Sequence, residues 1–217
     1  MDSNAHWERI YQTKVSNQLS WYRPHLERSL ALIESAAPLR SVAIIDVGAG
    51  ESTLIDDLLS TGYTNLTILD ISQTALRVTK ERLGELARKV RWICADATHA
   101  PLAANSYDVW HDRAVFHFLT TEELRRAYVQ VVETVVKPGG HVIVSTFGPE
   151  GPTQCSGLPV QRYDAEHLHA EFGSRFRLIE SSNELHTTPA GTVQQFLYCH
   201  FKFSPNQDFK SGHHQQS

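Results

Sequence analysis

The chain has 217 residues, the size of one domain, and can bury about 70% of the surface that its unfolded form exposes. Its formal net charge is −4, and its 20 lysines and arginines are scattered along the sequence, so no electrostatic footprint for nucleic acid is visible. Three cysteines without a C-x-x-C pair favour a reduced, cytoplasmic protein over a disulfide scaffold, and they predict no metal site.

The domain organisation predicted from the sequence is simple. The N-terminus lacks the pattern of a signal peptide, and no apolar run approaches the ~20 residues of a membrane span, so we expect a soluble protein without a membrane partner. We expect a single domain over residues 1–203, of which residues 1–38 form a helical segment, the N-terminal cap. Residues 204–217 are polar and predict a disordered tail.

Four aromatic side chains lie in the N-terminal cap. Trp7 and Tyr11 are four residues apart, so on a helix they share one face. Trp21 and Tyr22 follow ten residues later. These rings either cover an edge of the core or fold over a ligand site as a lid.

A glycine-rich turn follows the first apolar run, residues 42–47. The run, the turn Gly48-Ala49-Gly50 and the pattern behind it predict a buried strand, a tight turn and a helix N-terminus. Such a turn suits a nucleotide-like ligand, because a Cβ at either glycine would hold the ligand off the backbone and because the turn can require positive φ. Turns of this kind also occur without a ligand, so the pattern alone is ambiguous.

Acidic residues follow the next two predicted strands. Asp70 ends the strand at residues 66–70 and lies 20 residues beyond Gly50, a separation at which a carboxylate can accept hydrogen bonds from ribose hydroxyls. Asp96 follows the strand at residues 90–95 and could accept from the exocyclic amine of adenine. The alternatives are an N-cap for Asp70 and a turn former for Asp96.

The densest polar and aromatic stretch is residues 107–119. It predicts a fourth strand to His111 and then a loop that holds Asp112 and Arg113 at the carboxyl end of the strand, where ligands bind in open α/β sheets. With His117 nearby, four ionisable side chains in seven residues favour a pocket. The alternative is a surface pair of Asp112 and Arg113 beside a satisfied core histidine.

Helices and strands alternate along the chain, which predicts a doubly wound, mostly parallel sheet in an α/β fold. After the last predicted helix, two strands follow as an antiparallel hairpin that closes the sheet. Cys155 lies in the glycine- and proline-rich loop 148–159, near the mouth of a site if this loop follows the fifth strand. The remaining predicted elements are helices at residues 24–36, 52–60, 73–89, 122–136 and 163–172, a turn at 137–140, and strands at 141–147, 176–186 and 192–203.

In their order and spacing these motifs resemble those of the class I S-adenosylmethionine-dependent methyltransferases over residues 40–203. The resemblance implies a seven-stranded, three-layer α/β/α fold and S-adenosyl-L-methionine as cofactor. The N-terminal cap resembles a branch that contains protein lysine methyltransferases and small-molecule enzymes. The cofactor-binding residues implied are Tyr11, Trp21, Asp46, Gly48, Ala49, Gly50, Asp70, Ile71, Asp96, Ala97 and Asp112.

The predicted function is methyl transfer to a nucleophilic N, O or S atom, and a small-molecule acceptor is favoured over a protein lysine. The candidate catalytic residues are His111, Asp112, Arg113 and His117, and the first three stand where the family often has Asn or Ser after the fourth strand. A neutral histidine could accept a proton, and Arg113 could bind an acidic group of the acceptor. A thiol-dependent metalloid methylation through Cys155 is a further alternative. We expect a monomer or a homodimer.

Two rival functions come from other classes. A nicotinamide-dependent oxidoreductase would use the same turn and acid, but Thr53 stands where the third glycine of its fingerprint belongs. The other rival is a non-catalytic binding module that keeps the fold as a scaffold.

Overall fold

The computed structural model describes residues 3–205 of the chain, so the predicted tail from residue 206 onward lies outside the described residues. None of the helices within this range is both long enough and apolar enough to span a bilayer. The main strands are β1 (Ala43–Val47), β2 (Asn65–Asp70), β3 (Val90–Cys94), β4 (Tyr107–Arg113), β5 (Val136–Phe147), β6 (Gln154–Cys155), β7 (Leu158–Pro159), β8 (Phe176–Thr187) and β9 (Val193–Phe203).

Seven strands form one sheet in the order β3-β2-β1-β4-β5-β9-β8, and β6 pairs with β7 in a separate two-stranded ribbon. The strands from β1 to β5 run parallel, whereas β9 is antiparallel to both β5 and β8. The predicted mostly parallel, seven-stranded fold with a C-terminal antiparallel hairpin is confirmed.

Within residues 3–205, six α-helices accompany the sheet: α1 (Ser3–Thr13), α2 (Glu27–Ala36), α3 (Leu54–Ser60), α4 (Gln73–Leu83), α5 (Glu122–Val135) and α6 (Ala165–Phe172). The predicted helix at residues 73–89 is wrong in its length. It breaks at Gly84, which has φ +56°, and continues as a 3-10 helix over Gly84–Lys89. Asp164 caps α6, because its side chain accepts from the His167 backbone N–H.

Two predicted strand limits are also wrong. β4 continues through Arg113, so Asp112 and Arg113 belong to the strand rather than to a loop. β5 begins at Val136, and its pairing with β4 is interrupted by a bulge before it resumes at His141. Within this irregular segment, Nζ of Lys137 donates to the Asp108 carboxylate of β4 at 2.7 Å.

The sheet places the predicted binding residues at one edge. β1 is buried along its whole length between β2 and β4, as expected for a central parallel strand. In the register, Asp46 lies beside His111, and Val47 lies beside both Leu69 and Asp112. The carboxyl ends of the three central strands therefore meet below the glycine turn.

The described part of the N-terminal cap lies over this edge. Glu8 of α1 caps α4, because its Oε1 accepts from the Gln73 and Thr74 backbone N–H groups at 2.5 and 3.3 Å. The Trp7 ring packs edge-on against Phe118, with ring centroids 5.0 Å apart. The cap thus bridges the β2 side and the β4 side of the edge.

Candidate functional site

The glycine turn after β1 has the backbone conformation that the sequence predicts. Gly48 and Gly50 have φ of +61° and +51°, a region that favours glycine. A Cβ on Gly48 would lie 1.9 Å from Cγ2 of Val115, and a Cβ on Gly50 would lie 2.2 Å from the Tyr11 hydroxyl. Neither position has room for a side chain.

Asp70 holds the turn in place from the end of β2. Its two carboxylate oxygens accept from the backbone N–H groups of Gly50 at 2.7 Å and of Ser72 at 2.8 Å. Burial raises the pKa of this carboxyl to about 6, against the opposing effect of these hydrogen bonds. Each carboxylate oxygen has a second lone pair, so Asp70 can still accept from a ligand hydroxyl.

Asp96 lies after β3 and is more exposed than Asp70. Its Oδ1 accepts from the Thr98 backbone N–H at 2.8 Å and from the Thr98 hydroxyl at 2.6 Å. The side chain of Ala97 is buried beside it. This turn leaves the second oxygen of Asp96 for a donor such as an exocyclic amine.

One cavity runs along this edge of the sheet, from β3 to β4 and under the N-terminal cap. Residues lining it that the sequence analysis did not single out include Glu51, Val115, Phe118 and Leu19. Cys155 of the β5–α6 connection also lines the cavity. The predicted site residues that line it are Tyr11, Trp21, Asp46, Gly48, Ala49, Asp70, Ile71, Asp96, Ala97, His111 and Arg113.

His111 is clamped between β1 and α2. Its Nδ1 lies 2.7 Å from Oδ1 of Asp46, and its Nε2 lies 2.9 Å from the Ser29 hydroxyl. The carboxylate accepts, so Nδ1 carries the proton and Nε2 accepts from Ser29 in the neutral ring. The other oxygen of Asp46 is buried and has no partner among the described residues. His111 therefore fixes Asp46 at the floor of the cavity.

Arg113 ends β4 on the same side of the strand as His111. Its Nε donates to the Tyr198 hydroxyl at 3.1 Å, and its Nη1 donates to the Trp21 carbonyl at 3.0 Å. The guanidinium carbon lies 4.5 Å from the centre of the Phe196 ring. Nη2 is buried without a partner among residues 3–205.

Two predicted site residues lie in the core instead of facing the cavity, and their predicted positions are corrected. Asp112 is fully buried and accepts from the Tyr128 hydroxyl and from the Val115 and Phe116 backbone N–H groups. It thereby shapes the loop after β4 from below. Gly50, a predicted site residue of the glycine turn, is not part of the cavity lining either. Its backbone N–H donates to Asp70, which does line the cavity.

His117 is the second residue corrected to the core. Its Nδ1 accepts from the Phe147 backbone N–H at 3.2 Å, and its ring lies 4.5 Å from the Phe147 ring. Burial, with the charge of Arg113, lowers the pKa of His117 to about 3, so the ring stays neutral at any ordinary pH. His117 is thus a core histidine, and its Nε2 has no hydrogen-bond partner among residues 3–205.

The core position of Asp112 has a measurable consequence. Burial raises the pKa of Asp112 to about 6. The folded protein therefore holds this proton more tightly than the unfolded chain, and the associated stability is complete below the usual pKa of 3.8 and is lost as the pH rises through about 6. We expect Asp112→Asn to flatten the change in unfolding free energy between pH 4 and pH 7 by about 2 kcal/mol.

Urea unfolding of both proteins at several pH values measures this effect. Asp70 has a similar shift but is present in both proteins, so their difference isolates Asp112. Parallel pH profiles would contradict the assignment.

Several groups that position the site residues come from distant parts of the chain and were not predicted from the sequence. Ser29 lies on α2 and Tyr198 lies on β9. Their hydroxyl oxygens are 3.4 Å apart, so this contact connects the helix to the strand. No local motif marks either residue. Glu51 directly follows the glycine turn, and its side chain accepts from the Ser16 hydroxyl of the cap. Cys94, at the end of β3, is exposed.

Comparison with known proteins gives three kinds of match. A family profile described as a methyltransferase domain matches residues 44–140. The eEF1A lysine and N-terminal methyltransferase of Bos taurus is 25% identical over 134 residues, which are 62% of this chain and 19% of that protein. The malonyl-(acyl-carrier protein) O-methyltransferase of Marinomonas sp. is 30% identical over 152 residues, 69% of this chain and 53% of that protein. The chain thus spans between a fifth and about half of the length of these relatives.

A solved structure also resembles the chain. The S-adenosylmethionine-dependent methyltransferase of Anabaena variabilis matches with a TM-score of 0.68 and 15% identity, covering 94% of this chain and 96% of the other. The fold and the cavity define a Rossmann-like α/β protein with its site at the carboxyl edge of the sheet. The matched domain and the relatives support the class I S-adenosylmethionine-dependent methyltransferase family, with its cofactor, that the sequence motifs imply, and the solved structure has the same fold.

Proposed function

We propose that the chain catalyses methyl transfer from S-adenosylmethionine to a small-molecule acceptor bound beneath the N-terminal cap. The observation that carries this proposal is the single cavity that joins the glycine turn, Asp70 and Asp96 to Arg113 under the rings of the cap. The first three mark a cofactor side, and the end of β4 with the cap marks an acceptor side.

The cofactor side fits a nucleoside with a short polar tail. Gly48 lines the cavity without a side chain, so a ligand can approach the backbone of the turn closely there. We propose that this turn holds the methionine part, that Asp70 accepts from the ribose hydroxyls, and that Asp96 accepts from the adenine amine. When bound, the cofactor supplies an electrophilic methyl group.

The protein's own contribution is mainly positioning, which can supply about 7–11 kcal/mol of barrier lowering in an oriented reaction. His111 has both ring nitrogens engaged, so we propose that it orients Asp46. We propose that a proton released by the acceptor passes to Asp46, which lines the cavity and has one carboxylate oxygen without a partner among residues 3–205. His117 is neutral, but it is buried outside the cavity lining and its Nδ1 already accepts from the Phe147 backbone N–H. Its position therefore argues against a role as the base.

The aromatic rings that enclose the cavity favour a small acceptor. The Trp7 ring contacts Trp21, Tyr11 and Phe118, with centroid distances of 5.9, 6.3 and 5.0 Å. These rings cover the acceptor side of the cavity and leave little room for a folded protein to approach the cofactor.

A protein acceptor is the second candidate. The observation that favours it is the similarity to the eEF1A lysine and N-terminal methyltransferase. A lysine side chain could enter a cavity of this kind if the cap moved, since a lysine chain is narrow.

Radiolabelled methyl transfer into a cell extract that has been divided by size separates the two candidates. We expect the label from S-adenosylmethionine to appear in the low-mass fraction after incubation with the protein. Label confined to the protein fraction would instead support the second candidate and contradict a small acceptor.

The lid role of the cap gives a separate prediction. Trp7→Ala removes the ring that joins the cap to Phe118, and we expect the KM of the methyl acceptor to rise about tenfold, because an aromatic contact of this size contributes on the order of 1 kcal/mol besides its buried area. Steady-state kinetics with radiolabelled S-adenosylmethionine and the extract fraction that accepts the label measures the change in KM.

Trp92→Ala is the matched control. Its indole lies on β3, where its Nε1 donates to the Ala87 carbonyl at 3.0 Å, away from the cavity lining. We expect this variant to lose thermal stability without a rise in KM. Equal KM values for Trp7→Ala and the wild type would contradict the lid.

A further inference from the structure

Arg113 is a cation of the cavity that has no ion-pair partner among residues 3–205. Its partners are a tyrosine hydroxyl, a backbone carbonyl and the face of the Phe196 ring, and none of them is a carboxylate. An arginine has five N–H donors in a planar fork, so these contacts leave one N–H of Nη1 and both of Nη2 without a partner in the described part of the chain.

Arg23 provides the contrast within the same cavity. Its guanidinium binds Glu184 through Nη1 and lies 3.8 Å from Glu27 through Nη2. Arg23 is thus neutralised by the protein, whereas Arg113 is not. It costs free energy to bury most of a guanidinium without a counter-ion. A ligand anion would offset that free energy.

The location of Arg113 assigns it to the acceptor side. It ends β4, beyond His111, while the groups that fit the cofactor lie after β1, β2 and β3. Its Nη1 is bonded to the carbonyl of Trp21, whose ring packs against Trp7 and Tyr11. An anion bound by Arg113 would therefore lie under apolar rings of the cap.

We propose that Arg113 binds the carboxylate of the methyl acceptor, and that the acceptor is a small carboxylic acid with an apolar body. The inference rests on the proposed function, since it names the substrate class of the same cavity. The adjacent N–H groups of Nη1 and Nη2 match the two oxygens of a carboxylate. Tyr198 is a positioning residue, because its hydroxyl fixes Nε and thereby the plane of the fork.

The test uses the full chain saturated with S-adenosylhomocysteine and measures binding of matched probes by calorimetry. Each pair is a small acid and its primary amide: benzoate and benzamide, phenylacetate and phenylacetamide, malonate and malonamide. We expect at least one acid to bind the wild type tenfold or more tightly than its amide. We expect Arg113→Met to abolish this preference and Arg113→Lys to reduce it severalfold, because lysine keeps the charge but lacks the fork.

Two further variants define the readout. Tyr198→Phe should weaken acid binding and leave amide binding unchanged, which a merely structural role would not produce. Arg175→Lys is the control, because Arg175 is half exposed and donates to Glu133 far from the cavity lining. This control should bind acid and amide like the wild type.

The outcomes separate this inference from the proposed function. Failure of the wild type to bind S-adenosylhomocysteine would remove the proposed function itself. Normal binding of that ligand, with no acid preferred over its amide, would overturn the inference alone. It would also be overturned if Arg113→Met lost affinity for S-adenosylhomocysteine but kept the preference for acids, since Arg113 would then serve the cofactor.

Discussion

Gly48→Ala is expected to abolish measurable binding of S-adenosylhomocysteine and to destabilise the protein by several kcal/mol. The new Cβ would lie 1.9 Å from Cγ2 of Val115, a side chain held in the loop after β4, at a φ of +61° that an L-residue adopts only with strain. Either the loop or the turn must move, and both border the cavity. Calorimetric titration and thermal unfolding measure the two effects.

Gly62→Ala is the matched control for the backbone strain. Gly62 also has a positive φ, +92°, but a Cβ there would meet nothing within 4 Å. We expect a loss of about 1 kcal/mol in stability and unchanged ligand affinity. If the two variants behave alike, the close approach of Val115 does not determine the site.

Asp70→Ala is expected to have the second large effect, a loss of S-adenosylhomocysteine affinity of about a hundredfold or more. The substitution removes the proposed acceptor for the ribose hydroxyls and leaves the buried N–H groups of Gly50 and Ser72 without partners, each at a cost of about 1–3 kcal/mol. Asp70→Asn keeps one acceptor oxygen, so its loss should be intermediate.

The pH dependence of binding adds a second check on Asp70. Its pKa is raised to about 6 by burial, so the free protein carries a neutral carboxyl at lower pH. If the charged carboxylate accepts from the ribose, affinity should fall as the pH drops below about 6, and this fall should be absent in Asp70→Asn. Equal pH profiles for the two proteins would contradict a direct contact.

The cofactor side was accessible from the sequence because its groups follow a rule of topology. In a parallel sheet, residues that end successive strands meet at one edge, so Asp70 and Asp96 could be placed near the glycine turn from their order alone. The positive φ of Gly48 and Gly50 confirms the reasoning about that turn.

The acceptor side was predicted less well because the end of β4 was set two residues too early. Side chains alternate along a strand. Once the strand is continued to Arg113, alternation places His111 and Arg113 on one face and Trp110 and Asp112 on the other, where both contact Tyr128. The alternation of these four residues is the signal that could have separated cavity from core.

The remaining groups could not be predicted from local patterns. Ser29 and Tyr198 reach the site from α2 and β9 and fix His111 and Arg113 through their hydroxyls. Such contacts join residues up to 85 positions apart, and only the packing of helix against sheet brings them together.

Calorimetric titration of the full chain with S-adenosylhomocysteine and with NAD tests the central claim most directly. The glycine turn, Asp70 and Asp96 are claimed to form a site for the methyl donor. We predict saturable one-to-one binding of S-adenosylhomocysteine, lost in Gly48→Ala and kept in Gly62→Ala, and no binding of NAD. Binding of NAD without binding of S-adenosylhomocysteine would contradict the account.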